Sequence, residues 1–182
     1  MVVIFLILTL LAGCVSDDVY FEPNMDFGSL QTVAVLPFQN MSREDKAADR
    51  VRDAFSSMLL ATGAVYVLPP GEVARGLASI GRPAREGLSI EQAQKVAAVL
   101  KVDALITGVV TEYGPVRSGA ASANVISVSL QMIEKTNGLV VWSASSTKGG
   151  ISVWDRLVGG GGEPMNKVTV EAVNDLLDKL FE

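Results

Sequence analysis

Histidine is absent from this 182-residue chain, which removes the commonest general base, metal ligand and pH switch of proteins together. Zinc and haem sites of the ordinary kind are excluded by the same lack. Cysteine occurs once, at Cys14, so no intramolecular disulfide and no cysteine-held cluster forms. Nothing in the composition implies a cofactor or a metal. Basic residues number 15 against 20 acidic ones, lie scattered without a run, and leave a formal net charge of -5. Such a chain offers no basic face to a phosphate backbone, and no nucleic-acid role is expected. A spanning helix is missing as well, because the apolar run over residues 1–13 falls short of the about 20 residues that a bilayer requires.

What is present starts with that run. MVVIFLILTLLAG carries no charged side chain and stops just before Cys14, with Ser16-Asp17-Asp18 beyond it. Its length suits the apolar core of a secretory signal peptide. Leu11-Ala12-Gly13-Cys14 resembles the bacterial lipobox, in which two small residues let an extended backbone enter the signal peptidase site. The resemblance implies that the Cys14 thiol takes a diacylglyceryl group and that residues 1–13 are removed, leaving Cys14 first in the mature chain. Each buried methylene contributes about 0.8 kcal/mol and stable anchoring takes more than one acyl chain, so a multiply acylated Cys14 stays in membrane lipid. The basic residue that usually precedes such a run is absent. The competing reading is a buried cysteine behind a hydrophobic first strand; position and flanking residues favour the lipobox. Val15, not Asp, follows the cysteine, which by the sorting rule of enteric bacteria directs the protein to the outer membrane, on its periplasmic face.

Residues 14–30 read as the lipidated cysteine and a tether, without a steady period and with Pro23, Asn24 and Gly28. A single periplasmic α/β domain is expected over 31–182. Val33 to Leu36 form a continuous apolar run that suits a strand buried on both faces. Ser42 is placed to cap a helix with Val51, Phe55, Met58 and Leu59 on one stripe, ended by Gly63. Val65–Leu68 predicts a short strand, 71–80 a short helix, and Ser89 the cap of another helix. Residues 103–113 predict a long strand. Ile126, Val128, Leu130 and Met132 alternate with Ser127, Ser129 and Gln131, the period of a half-exposed antiparallel strand. Thr136-Asn137-Gly138 predicts a hairpin turn, 139–148 the return strand, 151–158 a short helix, and Pro164 the first turn of a last helix. The fold class is therefore an α/β sandwich of two or three layers. Its mixed sheet has about five strands, with early β-α-β units, a late antiparallel hairpin and a C-terminal helix.

Four features are candidates for chemistry or contact. Asp17, Asp18, Glu22 and Asp26 form an acidic stretch that could bind a cation or a basic partner, although a solvated linker explains it more simply. Phe38, Asn40 and Met41 follow the first strand of the domain, at the sheet edge where ligands of α/β proteins commonly sit. Asn40 reads first as closing a turn on its own backbone, and Phe38 and Met41 as an exposed contact surface. Of the two tryptophans, Trp142 on an apolar strand reads as core, while Trp154, beside Asp155 and Arg156, is the better candidate for partner contact. Ser145-Ser146-Thr147-Lys148 spells Ser-x-x-Lys, but on a predicted strand and without companion motifs; Gly159 to Gly162 lack the Lys-Ser/Thr of a phosphate loop. No catalytic residue is assigned, and no enzyme activity is expected.

Three segments, taken in order, resemble a group of bacterial envelope proteins that includes CsgG, LpoB and the amino-terminal domain of TolB: Val33–Asn40, Asp103–Val110 and Asn137–Ser143. The resemblance spans roughly residues 31–181. It implies an interaction module whose partners are other envelope proteins or further copies of the chain. CsgG-type members form rings and insert two hairpins per subunit into a transmembrane barrel, and LpoB-type members reach a peptidoglycan synthase on a tether. Each spanning strand needs about 9–11 residues of alternating polarity, whereas residues 114–124 are short and polar and 145–162 contain four consecutive glycines. Neither segment is suited to a pore. A tether of about 16 residues reaches at most ~55 Å, so an LpoB-like reach is also a poor fit.

Overall fold

The computed structural model describes residues 19–81, 87–119, 121–150 and 162–181. The signal segment, Cys14, Asp17, Asp18, Trp154 and the helix expected over 151–158 lie outside the described residues. Among the described residues, seven strands and four α-helices follow one another as β1 (Val19–Phe21), β2 (Thr32–Val35), β3 (Gln39–Asn40), α1 (Ala47–Thr62), β4 (Tyr66–Val67), α2 (Pro70–Ser79), α3 (Ile90–Leu100), β5 (Ala104–Ser118), β6 (Ala121–Glu134), β7 (Val140–Gly149) and α4 (Met165–Phe181). The strands form one sheet in the order β1-β7-β6-β5-β2-β4, with β3 beside β5.

The run Val33–Leu36 explains the middle of this sheet. Val33 and Val35 face one helix layer while Ala34 and Leu36 face the other, so no position of the run is left for a polar side chain. On the first face, α1 and α4 bury Val51, Phe55, Leu59, Val168, Val173 and Leu176 against Ile106, Leu130 and Trp142. On the second, α2 and α3 bury Val73, Leu77, Val96 and Leu100 against Leu105 and Ile133. The architecture is a three-layer α/β/α sandwich. β2 pairs in parallel with both β4 and β5, as the early β-α-β units require, while β5, β6 and β7 form an antiparallel meander.

Local signals set most boundaries. Gly63 ends α1 in a left-handed conformation (φ 68°), and Ser89 and Gln92 form a reciprocal capping box at α3. The Trp142 indole is fully buried and donates to the Lys179 carbonyl at 3.1 Å, fastening the end of α4 to β7.

Three boundaries differ from the sequence expectation. The tether does not run to residue 30: β1 pairs with β7 through Val19–Ala144 and Phe21–Trp142, and residues 27–29 form a 3₁₀ turn capped by Asp26. Three residues are too few to show a period, so this edge strand leaves no pattern in the sequence. The helix expected behind Ser42 begins only at Ala47, because the Ser42 hydroxyl donates to Asn40 Oδ1 at 2.7 Å and belongs to the preceding turn. Finally, the strand expected to end at residue 113 continues, and β5 and β6 run on through the short polar segment 114–124.

Candidate anchoring and contact surfaces

The fold separates Phe38 and Met41, the two residues expected to form an exposed contact surface after the first strand. Phe38 is not exposed; it is fully buried against Phe55, with ring centroids 6.5 Å apart. Its seat is Gly108, where an added Cβ would lie 2.9 Å from the Phe38 ring and 2.5 Å from Leu130. Pro37 interrupts the strand, so strand alternation no longer decides which face residue 38 takes. Asn40 is the turn-former: its side-chain amide donates to the Glu44 carbonyl at 2.8 Å, and its Oδ1 accepts from the Ser42 amide at 3.0 Å. Met41 alone is left outside, 67% exposed.

The described part of the acidic stretch is also local architecture. Glu22 accepts from the Tyr20 hydroxyl at 2.7 Å, which holds its carboxyl below the ordinary range. Asp26 accepts from the Gly28 amide at 3.0 Å. Among the described residues, no group of three or more His, Cys, Asp or Glu side chains could hold a metal ion. No described helix is long and apolar enough to cross a membrane.

Ser145 and Lys148 occupy positions of opposite parity on β7 and therefore point to opposite faces of the sheet. Lys148 pairs with Asp175 at 2.6 Å, and Lys179 reaches the other oxygen of the same carboxylate at 3.1 Å while donating to the Ser145 carbonyl at 2.8 Å. This cluster ties α4 to β7. Burial pushes the Asp175 carboxyl up, but Lys148, the Ser146 hydroxyl and Lys179 together outweigh it and the net shift is downward.

Two surfaces carry no pattern that the sequence reading assigns. The first is a cavity of about 420 Å³ on the α2/α3 face, with Leu77, Leu88 and Ile90 on one wall and Thr107, Ser129 and Gln131 on the other. It continues into a sheet face of Ser127, Ser143, Ser145 and Thr147, bordered by the exposed Glu112, which pairs with Ser127. The cross-strand register shows this face: uncharged polar residues pair with one another along β6 and β7, as in Ser129–Ser145 and Gln131–Ser143. The second surface is a two-stranded ribbon. β7 ends opposite Val125, and β6 runs on to Ala121 paired with β5 residues 115–118; on its other edge, among the described residues, only the Gly150 and Gly162 amides bond to it, at the Asn124 and Ser122 carbonyls. Ala121 and Ala123 are buried, whereas Pro115, Val116, Arg117 and Ser118 are exposed. β3 leaves β5 after Val110, so Pro115 lies where its missing N–H costs no ladder bond to a further strand.

Solved structures share this fold. Lipoprotein GNA1162 from Neisseria meningitidis matches with a TM-score of 0.60 at 18% identity, covering 83% of this chain and 98% of that one. A PelC dodecamer subunit from Paraburkholderia phytofirmans matches with a TM-score of 0.56 at 21% identity, covering 82% and 87%. The LpoB C-terminal domain from Salmonella enterica matches with a TM-score of 0.50 at 11% identity, covering 64% and 81%. At these identities the likeness is one of fold. No curated protein matches the sequence. Residues 27–177 do match a family as a sequence, from ahead of β2 into α4 and including the ribbon, and on that match the chain belongs to the GNA1162-like lipoprotein family.

Proposed function

We propose that the protein is an outer-membrane lipoprotein, held on the periplasmic face by an acylated Cys14, whose domain binds other envelope proteins, further copies of itself included, and performs no catalysis. The observation that carries this reading is the lipoprotein-family match over residues 27–177 immediately behind the lipobox Leu11–Cys14. Self-association draws support from the fold shared with a subunit of the PelC dodecamer. Binding to another envelope protein draws support from the LpoB-like fold, and activation of a peptidoglycan synthase is the second reading. We also read the chain as a distant member of the wider CsgG, LpoB and TolB group, on its three ordered segments. A CsgG-like channel is less well supported, because the ribbon extends only four residues per strand past β7 where a spanning strand needs about 9–11. The opposite-facing Ser145 and Lys148 support a non-catalytic domain.

Cys14→Ser is expected to move the protein out of the outer-membrane fraction into the soluble periplasm; continued outer-membrane fractionation defeats the anchor. The mass of the lipidated protein in mild detergent, measured by light scattering across concentrations, separates the two modes of binding. A ring-sized mass selects self-assembly, and a monomer selects a partner of another kind.

A further inference from the structure

The register between β1 and β7 sets how far the lipid anchor reaches along the sheet. Val19 pairs with Ala144, and β1 runs antiparallel to β7, so the incoming chain meets the fold from the side on which β7 ends. Between Cys14 and Val19 lie five residue steps, at most about 17 Å of extended chain. In the same direction, β7 continues from Ala144 to Gly149, Gly149 pairs with Val125, and β6 continues to Ala121. Those nine residues span about 30 Å at strand rise. The ribbon therefore overhangs the anchored cysteine by at least about 13 Å when the strands point at the membrane that holds it. The headgroup layer is about 7 Å deep on each side of the hydrocarbon.

The chemistry of the ribbon fits that depth. Residues 113–119 and 121–124 contain no carboxylate and one charge, Arg117, in a chain with 20 acidic groups. Val116 and Arg117 are exposed beside one another near the tip, and Tyr113 sits half-buried at the base, where its hydroxyl meets Thr169 Oγ1 at 3.4 Å. The opposite end of the sheet presents Glu22, Asp26 and Glu134. Building on the anchor reading above, we propose that the tip of the β5–β6 ribbon is seated in the phospholipid headgroup layer of the membrane that holds Cys14. Val116 lies among the headgroups and the Arg117 guanidinium on a lipid phosphate. Guanidinium and phosphate form paired, charge-assisted hydrogen bonds.

Acylation leaves no free thiol, because Cys14 is the only cysteine, so an introduced cysteine is labelled alone. The test uses the full lipidated chain in vesicles of phosphatidylethanolamine and phosphatidylglycerol that carry a nitroxide on the headgroup. An environment-sensitive fluorophore is placed at Ser118→Cys or, at the opposite end, at Thr136→Cys. The Ser118 probe is expected to shift to the blue and lose at least half its emission, the Thr136 probe to be unaffected, and Arg117→Glu to reduce the Ser118 quenching at least twofold with flotation unchanged. Equal emission at both sites, in protein that floats with the vesicles, overturns the seating. A Ser118 probe shielded from iodide in a detergent-held oligomer, and unquenched by lipid, also overturns it and assigns the ribbon to a neighbouring copy. Protein that fails to float refutes the anchor and removes the premise of the overhang, a result told apart by flotation alone.

Discussion

In the lower half of the β5–β6 hairpin, alternate side chains enter two different cores: Ala104, Ile106, Val128, Leu130 and Met132 meet α1 and α4, while Leu105 and Ile133 meet α2 and α3. In the upper half, residues 115–118 and 121–124 keep the same ladder, yet the covered positions shrink to Ala121 and Ala123 on β6 and the β5 side is exposed. An isolated two-stranded hairpin is marginal in water. The upper half persists because it extends a pairing already fixed below. Three outside bonds support it, from the Gly150 amide to the Asn124 carbonyl at 2.8 Å, from the Gly162 amide to the Ser122 carbonyl at 3.0 Å and from the Asn124 side chain to the Glu163 carbonyl at 2.7 Å. One hairpin thus combines a segment specified by burial with a segment specified by its neighbour, and the second is free to carry surface chemistry.

The largest effect should come from breaking the buried half. Leu130 is fully buried, and its methyl group lies at the bare Cα of Gly108 beside Phe38. Leu130→Ala removes both the transfer energy and the packing of that seat, and about 2–5 kcal/mol of stability is expected to be lost, read as a lower midpoint in urea unfolding with unchanged slope. A loss below about 1 kcal/mol would mean that the site collapses around the gap and that burial does not distinguish the two halves.

A smaller effect is expected at the foot of the hairpin, where Asp103 joins it to β2. Its carboxylate accepts from Lys135 at 2.6 Å, from the Thr32 amide and hydroxyl at 2.9 Å each, and from the Gln31 amide at 3.1 Å. The Lys135 ammonium is the chief reason that its carboxyl is held well below the ordinary range. A depressed folded-state value stabilises the fold above the unfolded-state value, about 3.9, and that stabilisation is lost as pH falls toward the folded-state value. Asp103→Asn is therefore expected to cost about 1.5–3 kcal/mol at pH 7. The gap from wild type should narrow by about 1 kcal/mol between pH 5 and pH 3. Urea midpoints across that range check it, and a gap independent of pH would leave the packing of the side chain, not its charge, as the cause.

These two halves also divide what a reader of the sequence recovers. The lower strands announce themselves, since Ile126, Val128, Leu130 and Met132 alternate with polar residues and 33–36 is apolar throughout. The layers, the parallel first pairs and the capping of α3 by Ser89 follow from such local signals. Phe38 does not, because its burial depends on Gly108, seventy residues on, and no local period records a contact between distant segments. Strand β1 and the ribbon are lost for the opposite reason: Val19–Phe21 is too short to alternate, and Gly114-Pro115 spells a turn while the ladder of β6 holds it extended. The surfaces of this protein were thus the least legible part, since exposed positions are set by what remains after packing.

The smallest stability effect should come from Val116→Ser at the ribbon. Val116 is 37% exposed and touches neither core, so urea unfolding of the detergent-free soluble domain should move by no more than about 0.5 kcal/mol. Amide exchange supplies the matching local reading, with residues 113–118 opening far below the global unfolding energy and 104–110 only with it. A serine at this position nonetheless removes the apolar side chain assigned to the headgroup layer, so headgroup quenching of a probe at Ser118→Cys should fall while the urea midpoint stays in place. If Val116→Ser instead lowers stability as much as Leu130→Ala, the ribbon is part of the cooperative core, and the division of the hairpin into a buried half and a surface half is wrong.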